Sequence, residues 1–149
     1  MNGVQLILSK VALSGLVLIF LTSCGMTNAE QLERDALISK GIEQHPSRCT
    51  RLDENLFEHH VYNNRLARTK IIKEPVYPET AEKLRVEGYV SLEFDLSDNG
   101  KPINISVLKS YPAGVFDQAG IDALSTWVYQ GEMLPCLGVR LDFSLPPAR

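Results

Sequence analysis

From residue 74 onward the hydrophobic and polar positions fall into a readable order. In "EPVYPETAEKLRVEG", Pro75 and Pro78 hold the chain extended, since each restricts its own φ and the residue before it. Pro78 suits a first helical turn, and Ala81, Leu84 and Arg85 continue a helix of about two turns that Gly88 stops. Val90, Leu92, Phe94 and Leu96 then alternate with Ser91, Glu93 and Asp95, and Ile103, Ile105 and Val107 alternate with Asn104 and Ser106. Asn99-Gly100 lies between the two runs, so the pattern predicts a β-hairpin with one face buried. Phe116, Ala119, Ala123, Leu124, Trp127 and Val128 recur at steps of three and four, the apolar stripe of a helix, which makes Trp127 a core residue. Val139, Leu141, Phe143 and Leu145 alternate with Arg140, Asp142 and Ser144 in a third strand. The fold class is α+β, in the order α-β-β-α-β. Two helices are expected on one face of a three-stranded antiparallel sheet.

The first half of the chain has a different pattern. Val11–Leu21 is an apolar run of signal-peptide length after a weakly basic start with Lys10. Eleven helical residues reach only about half of the ~30 Å hydrocarbon core of a bilayer. A span extended back to Val4 is long enough but buries Lys10, at about 2.5–3.5 kcal/mol near the centre. Leu21-Thr22-Ser23-Cys24 follows, which resembles the bacterial lipobox, Leu-x-small-Cys. On this reading residues 1–23 are a signal peptide and Cys24 is the lipid attachment site. Acyl chains there contribute about 0.8 kcal/mol per buried CH₂, and more than one chain anchors stably. Residue 25 is Gly rather than Asp, which by resemblance to proteobacterial lipoproteins points to the outer membrane. Residues 24–73 are a tether and N-terminal region. Within it, Leu32, Ala36 and Ile42 lie near helical spacing over 29–44, and His45-Pro46 ends that helix. "RLARTKIIKEP" has an extended look, and the remainder of 50–74 has no firm pattern.

Composition narrows the function classes. The net charge is −3, and no basic stripe with interleaved aromatics occurs, so nucleic acid is set aside as a partner. Residues 1–23 hold one cation and no acid, leaving the rest of the chain at −4. With Cys24 lipidated, Cys49 and Cys136 remain, and in an oxidising periplasm such a pair reads as a disulfide; two unpaired buried thiols are the alternative. His59-His60 lack the cysteine or carboxylate that would complete a metal-ligand spacing, so no metal site is expected. No cofactor motif is present. No Gly-x-Ser-x-Gly or similar nucleophile motif occurs, so no catalytic residue is assigned and the chain is not read as an enzyme.

Residues 74–145 resemble the C-terminal domain of the TonB family, periplasmic energy transducers of Gram-negative bacteria. The matching residues are Pro75, Tyr77-Pro78, Glu87-Gly88-x-Val90, Phe94-Asp95, Asn99-Gly100, Ser110-x-Pro112, Phe116-Asp117, Ala123 and Trp127-x-Tyr129. The domain is drawn as 74–149. The resemblance implies the fold read above. It also implies that the third strand offers an exposed edge, to which a short segment of an outer-membrane receptor adds as a further strand. Val139, Arg140, Leu141, Asp142 and Phe143 would be that edge, with Arg140 and Asp142 as blunting charges, and Glu74 and Pro75 would help contact the added segment. The chain departs from the family in several places. Glu74 stands where Gln is common, Gln130-Gly131 follow Tyr129 where a proline is frequent, and Cys136 precedes the last strand. There is no long proline-rich spacer, and the first His is at residue 45.

Two functions follow as expectations. The first is a lipid-anchored protein on the periplasmic face of the envelope, which binds an extended segment of an envelope partner by strand addition. An outer-membrane transporter is among the partners implied, and the membrane is contacted through lipid on Cys24. The alternative is an inner-membrane energy transducer for outer-membrane transport that keeps residues 4–23 as an uncleaved helix.

Overall fold

A computed structural model of the chain describes residues 25–49, 68–130 and 133–147. Cys24, His59-His60 and the apolar run before Cys24 lie outside the described residues. The elements are α1 (Asn28–Ile38), β1 (Glu43–Gln44), β2 (Arg68–Ile71), α2 (Glu79–Lys83), β3 (Gly88–Leu96), β4 (Pro102–Tyr111), α3 (Asp117–Ser125), β5 (Val128–Gln130) and β6 (Leu134–Phe143). No helix among the described residues is long and apolar enough to cross a membrane.

The α-β-β-α-β core is α2, β3, β4, α3 and β6, an antiparallel sheet with helices packed on it. Two additions go beyond the expected three strands. The sheet has four, in the order β1-β4-β3-β6, because the two residues of β1 pair with the outer edge of β4. A separate ribbon joins β2 to β5. β1 and β5, of two and three residues, are too short to show alternation, whereas β2 falls in the stretch with the extended look.

β3 is the central strand. Its even-numbered side chains, Val90, Leu92, Phe94 and Leu96, are all buried, and they form one cluster with Leu84, Phe116, Leu124, Trp127, Val139, Leu141 and Phe143. Each such side chain removed from water contributes about 1.5–3 kcal/mol. The helix α3 approaches the sheet through Gly120, where a Cβ would come within 2.5 Å of Val90 Cγ1. Phe116 and Phe143 stack at 4.3 Å; Tyr77 lies edge-on to both at 5.7 and 5.6 Å, and its hydroxyl donates to the Val86 carbonyl at 2.8 Å.

Four expectations from periodicity need correction. Ile103 is 42% exposed rather than core. A register irregularity at Asn104, with φ +53°, inserts a residue into β4 and turns Ile103 to the Asp95 side of the sheet. Gly88 opens β3 rather than stopping the helix; α2 ends at Lys83, and Arg85 takes φ +51°. α3 ends at Ser125, so Trp127 lies beyond it and Val128 pairs with Ile71. α1 ends at Ile38, well before His45, and its contacts with the core come from Leu37 and Ile38 while Leu32 is exposed. Thr27 caps that helix by accepting from the Glu30 N–H, and Glu30 accepts from the Thr27 N–H in return.

Gly88 is fixed by a close approach of backbone. A Cβ there would overlap the Tyr111 carbonyl oxygen and come within 2.7 Å of the Phe116 ring. Gly114 has φ +71° but open space around it. Gly88→Ala is therefore expected to lose about 2–4 kcal/mol of stability. Gly114→Ala is expected to lose only about 1 kcal/mol, from its left-handed backbone. Urea denaturation of the two variants checks the difference.

Candidate functional site

The edge of the sheet that the sequence singled out is β6. It pairs with β3 from Gly88↔Phe143 through Ser91↔Arg140 and Leu92↔Val139 to Phe94↔Leu137. No other strand among the described residues pairs with its outer side. Leu137–Phe143 keeps a regular register along β3, and a register shift separates it from Leu134. Val139, Leu141 and Phe143 turn into the core, and Arg140 and Asp142 lie on the opposite face. The Arg140 guanidinium stacks 3.8 Å from the centre of the Tyr89 ring, and its Nε donates to Asp142 Oδ1 at 2.9 Å.

The other edge is managed differently. β1 and the His45 N–H, which donates to the Leu108 carbonyl, cover one end of β4. The other end carries Pro102 and the left-handed Asn104. A proline lacks a ladder donor and a bulge twists an edge out of register, so this part of β4 is poorly suited to pairing. The two edges are thus unequal, and β6 is the regular one.

Glu74 and Pro75 lie between two fixed points. The Trp127 indole N–H donates to the Lys73 carbonyl at 2.8 Å, and Tyr77 packs on Phe143 at the end of β6. Glu74 is exposed and Pro75 half-buried.

The second face of β3, expected to be solvated, is covered. After β1 the chain crosses it as a strap, residues 45–49. Glu93 is 1% exposed, and its carboxylate accepts from Ser47 Oγ at 2.6 Å, the Arg48 N–H at 3.1 Å and Ser106 Oγ at 3.0 Å. Arg48 also bonds Asp95 at 3.0 Å, and Asp95 accepts from Asn104 Nδ2 and from the Cys136 N–H, both at 2.8 Å. Cys49 is disulfide-bonded to Cys136, 87 residues away, with Cα atoms 5.6 Å apart. A loop of that size constrains the unfolded chain by about 4.6 kcal/mol in the entropy model. The two sulfurs and an Asp95 oxygen lie within 4.8 Å of one another. The sulfurs are bonded together and Asp95 is committed to Arg48, so this group holds the strap in place. Sequence reading missed Glu93 and Arg48 because nothing local distinguishes them from solvated charges.

Burial pushes the Glu93 and Asp95 carboxyls up, but their hydrogen bonds and the Arg48 charge outweigh it and hold both below their ordinary values of 4.5 and 3.8. A carboxyl whose folded pKa is depressed gives stability that is complete above the unfolded pKa and lost as pH falls through the folded one. The urea midpoint is therefore expected to drop below about pH 4.5. Glu93→Gln should lose about 1–3 kcal/mol at pH 7 and show a flatter acid profile. Urea titrations of both proteins between pH 7 and pH 3 check this.

Residues 73–146 match the family model described as Gram-negative bacterial TonB protein C-terminal. Protein TonB of Klebsiella pneumoniae is 39% identical over 57 residues, and Protein TonB of Escherichia coli (strain K12) 35% over 57. Each match covers 38% of this chain and 24% of the relative, so the chain spans about a quarter of the length of these curated relatives. The solution NMR structure of the Pseudomonas aeruginosa TonB CTD superposes with a TM-score of 0.50 at 24% identity, covering 59% of this chain and 95% of that one, which is a likeness of fold. Through residues 73–146, this chain belongs to the TonB C-terminal domain family.

Proposed function

We propose that this protein is a lipid-anchored module facing the periplasm, and that it binds an extended segment of an envelope protein by adding it to the outer edge of β6. The observation that carries the reading is the inequality of the two sheet edges. Leu137–Phe143 is a regular run seven residues long with its outer side unpaired among the described residues, while β4 is closed by β1, Pro102 and the Asn104 bulge. A strand added at β6 gains main-chain hydrogen bonds, and alternate side chains give it specificity. Glu74 and Pro75 would flank the added segment, held in place by Lys73 and Tyr77. An outer-membrane transporter fits as the partner, because relatives of this domain are TonB proteins.

The anchor rests on Leu21-Thr22-Ser23-Cys24, with lipid on Cys24 and residence in the outer membrane. The retained helix of an energy transducer would have to bury Lys10. The disulfide between Cys49 and Cys136 suits an oxidising compartment.

Two measurements test these readings. A photo-crosslinking residue at Asp142, whose side chain is 64% exposed, should capture one envelope protein through an extended segment. The same residue at exposed Lys101 in the hairpin loop should not. Equal capture at both positions, or capture at Lys101 alone, rejects β6 as the binding edge. Cys24→Ala should abolish labelling by radioactive palmitate and move the protein out of the outer-membrane fraction. Unchanged labelling and fractionation would show that Cys24 carries no lipid.

A further inference from the structure

We propose that Arg140 and Asp142 select the added strand by charge, so that the edge of β6 prefers a segment with one basic and one acidic residue flanking a single apolar one. This rests on the strand-addition reading above. An isolated lysine is enough to blunt a sheet edge. β6 instead carries two opposite charges two positions apart on one face, and both are held in place. The guanidinium lies 3.8 Å from the Tyr89 ring centre and bonds Asp142 at 2.9 Å, which lowers the ordering cost of meeting a partner.

Their neighbours inside the sheet are neutral, since Arg140 faces Ser91 and Asp142 faces Tyr89. The Arg140 Nη groups make no hydrogen bond among the described residues. An added strand would place two of its residues opposite Arg140 and Asp142, about 5 Å away, where opposite charges stabilise and like charges destabilise. The residue between them would point to the side of the sheet where Leu141 lies buried, which suits an apolar side chain. The described sheet is antiparallel throughout, and antiparallel pairs are the more stable per residue. In an antiparallel partner the residue opposite Asp142 comes first, so the expected order is basic, apolar, acidic. Parallel addition would reverse it.

The test uses the full chain in detergent micelles and two seven-residue peptides. Both alternate valine with polar residues, and they differ only in the order of one lysine and one glutamate around the central valine. Affinity and amide hydrogen exchange over 137–143 are measured at low salt. The wild type should prefer the lysine-first peptide by about fivefold, and the preference should shrink as salt is raised. The double swap Arg140→Asp with Asp142→Arg should invert it. A glutamate-first preference that the swap inverts also supports selection by charge and assigns parallel addition. If both peptides protect β6 equally, or the preference survives the swap, the charges only blunt the edge and the inference is wrong. If neither peptide protects β6 at millimolar concentration, strand addition itself fails.

Discussion

β3 is hydrogen-bonded on both sides, to β4 and to β6, and its alternation of apolar and polar residues fixes what each face of the sheet must do. Val90, Leu92, Phe94 and Leu96 demand a cover on one face, and α2 and α3 supply it. A slip of one residue would bring Glu93 into that core and turn Phe94 out of it, so the register has little freedom. The position of β6 follows from the same constraint. Val139, Leu141 and Phe143 complete the layer that β3 begins, and this leaves the other side of β6 at the margin of the sheet.

The opposite face of β3 has a demand of its own. Glu93 is a charged group almost completely withdrawn from water, which is costly without partners. Ser47, Arg48 and Ser106 provide them, two of the three from the strap. The segment read from sequence as a tether thus supplies a strand, a charge clamp and one half of the disulfide. The clamp and the bridge meet next to Cys136, which follows the start of β6, so the N-terminal half of the chain is fastened to the strand proposed to carry the partner. In a lipid-anchored protein, pull from the membrane side would reach that strand through a covalent bond.

Much of the core was legible because it is written in local periodicity. The alternations of β3 and β6 marked the buried side chains of both strands, and Trp127 was read as core from its place in an apolar stripe. The sequence was misleading where a single residue changes the count. The insertion at Asn104 reverses the facing of Ile103, and Gly88 looks like a helix stop although its lack of a side chain is needed for contact with Tyr111. Val128 fits the helical stripe of α3, yet pairing with Ile71 draws it into a strand.

The candidate edge followed from the family resemblance; by itself the sequence determined the α+β order and the hydrophobic sides of β3 and β6. Those depend on patterns within about ten residues of chain. Which edge of the sheet stays regular, how Arg140 is seated on Tyr89 and what neutralises Glu93 were decided only in the tertiary structure. Each of these joins residues tens of positions apart, and burial and charge pairing between such residues leave no trace in local spacing.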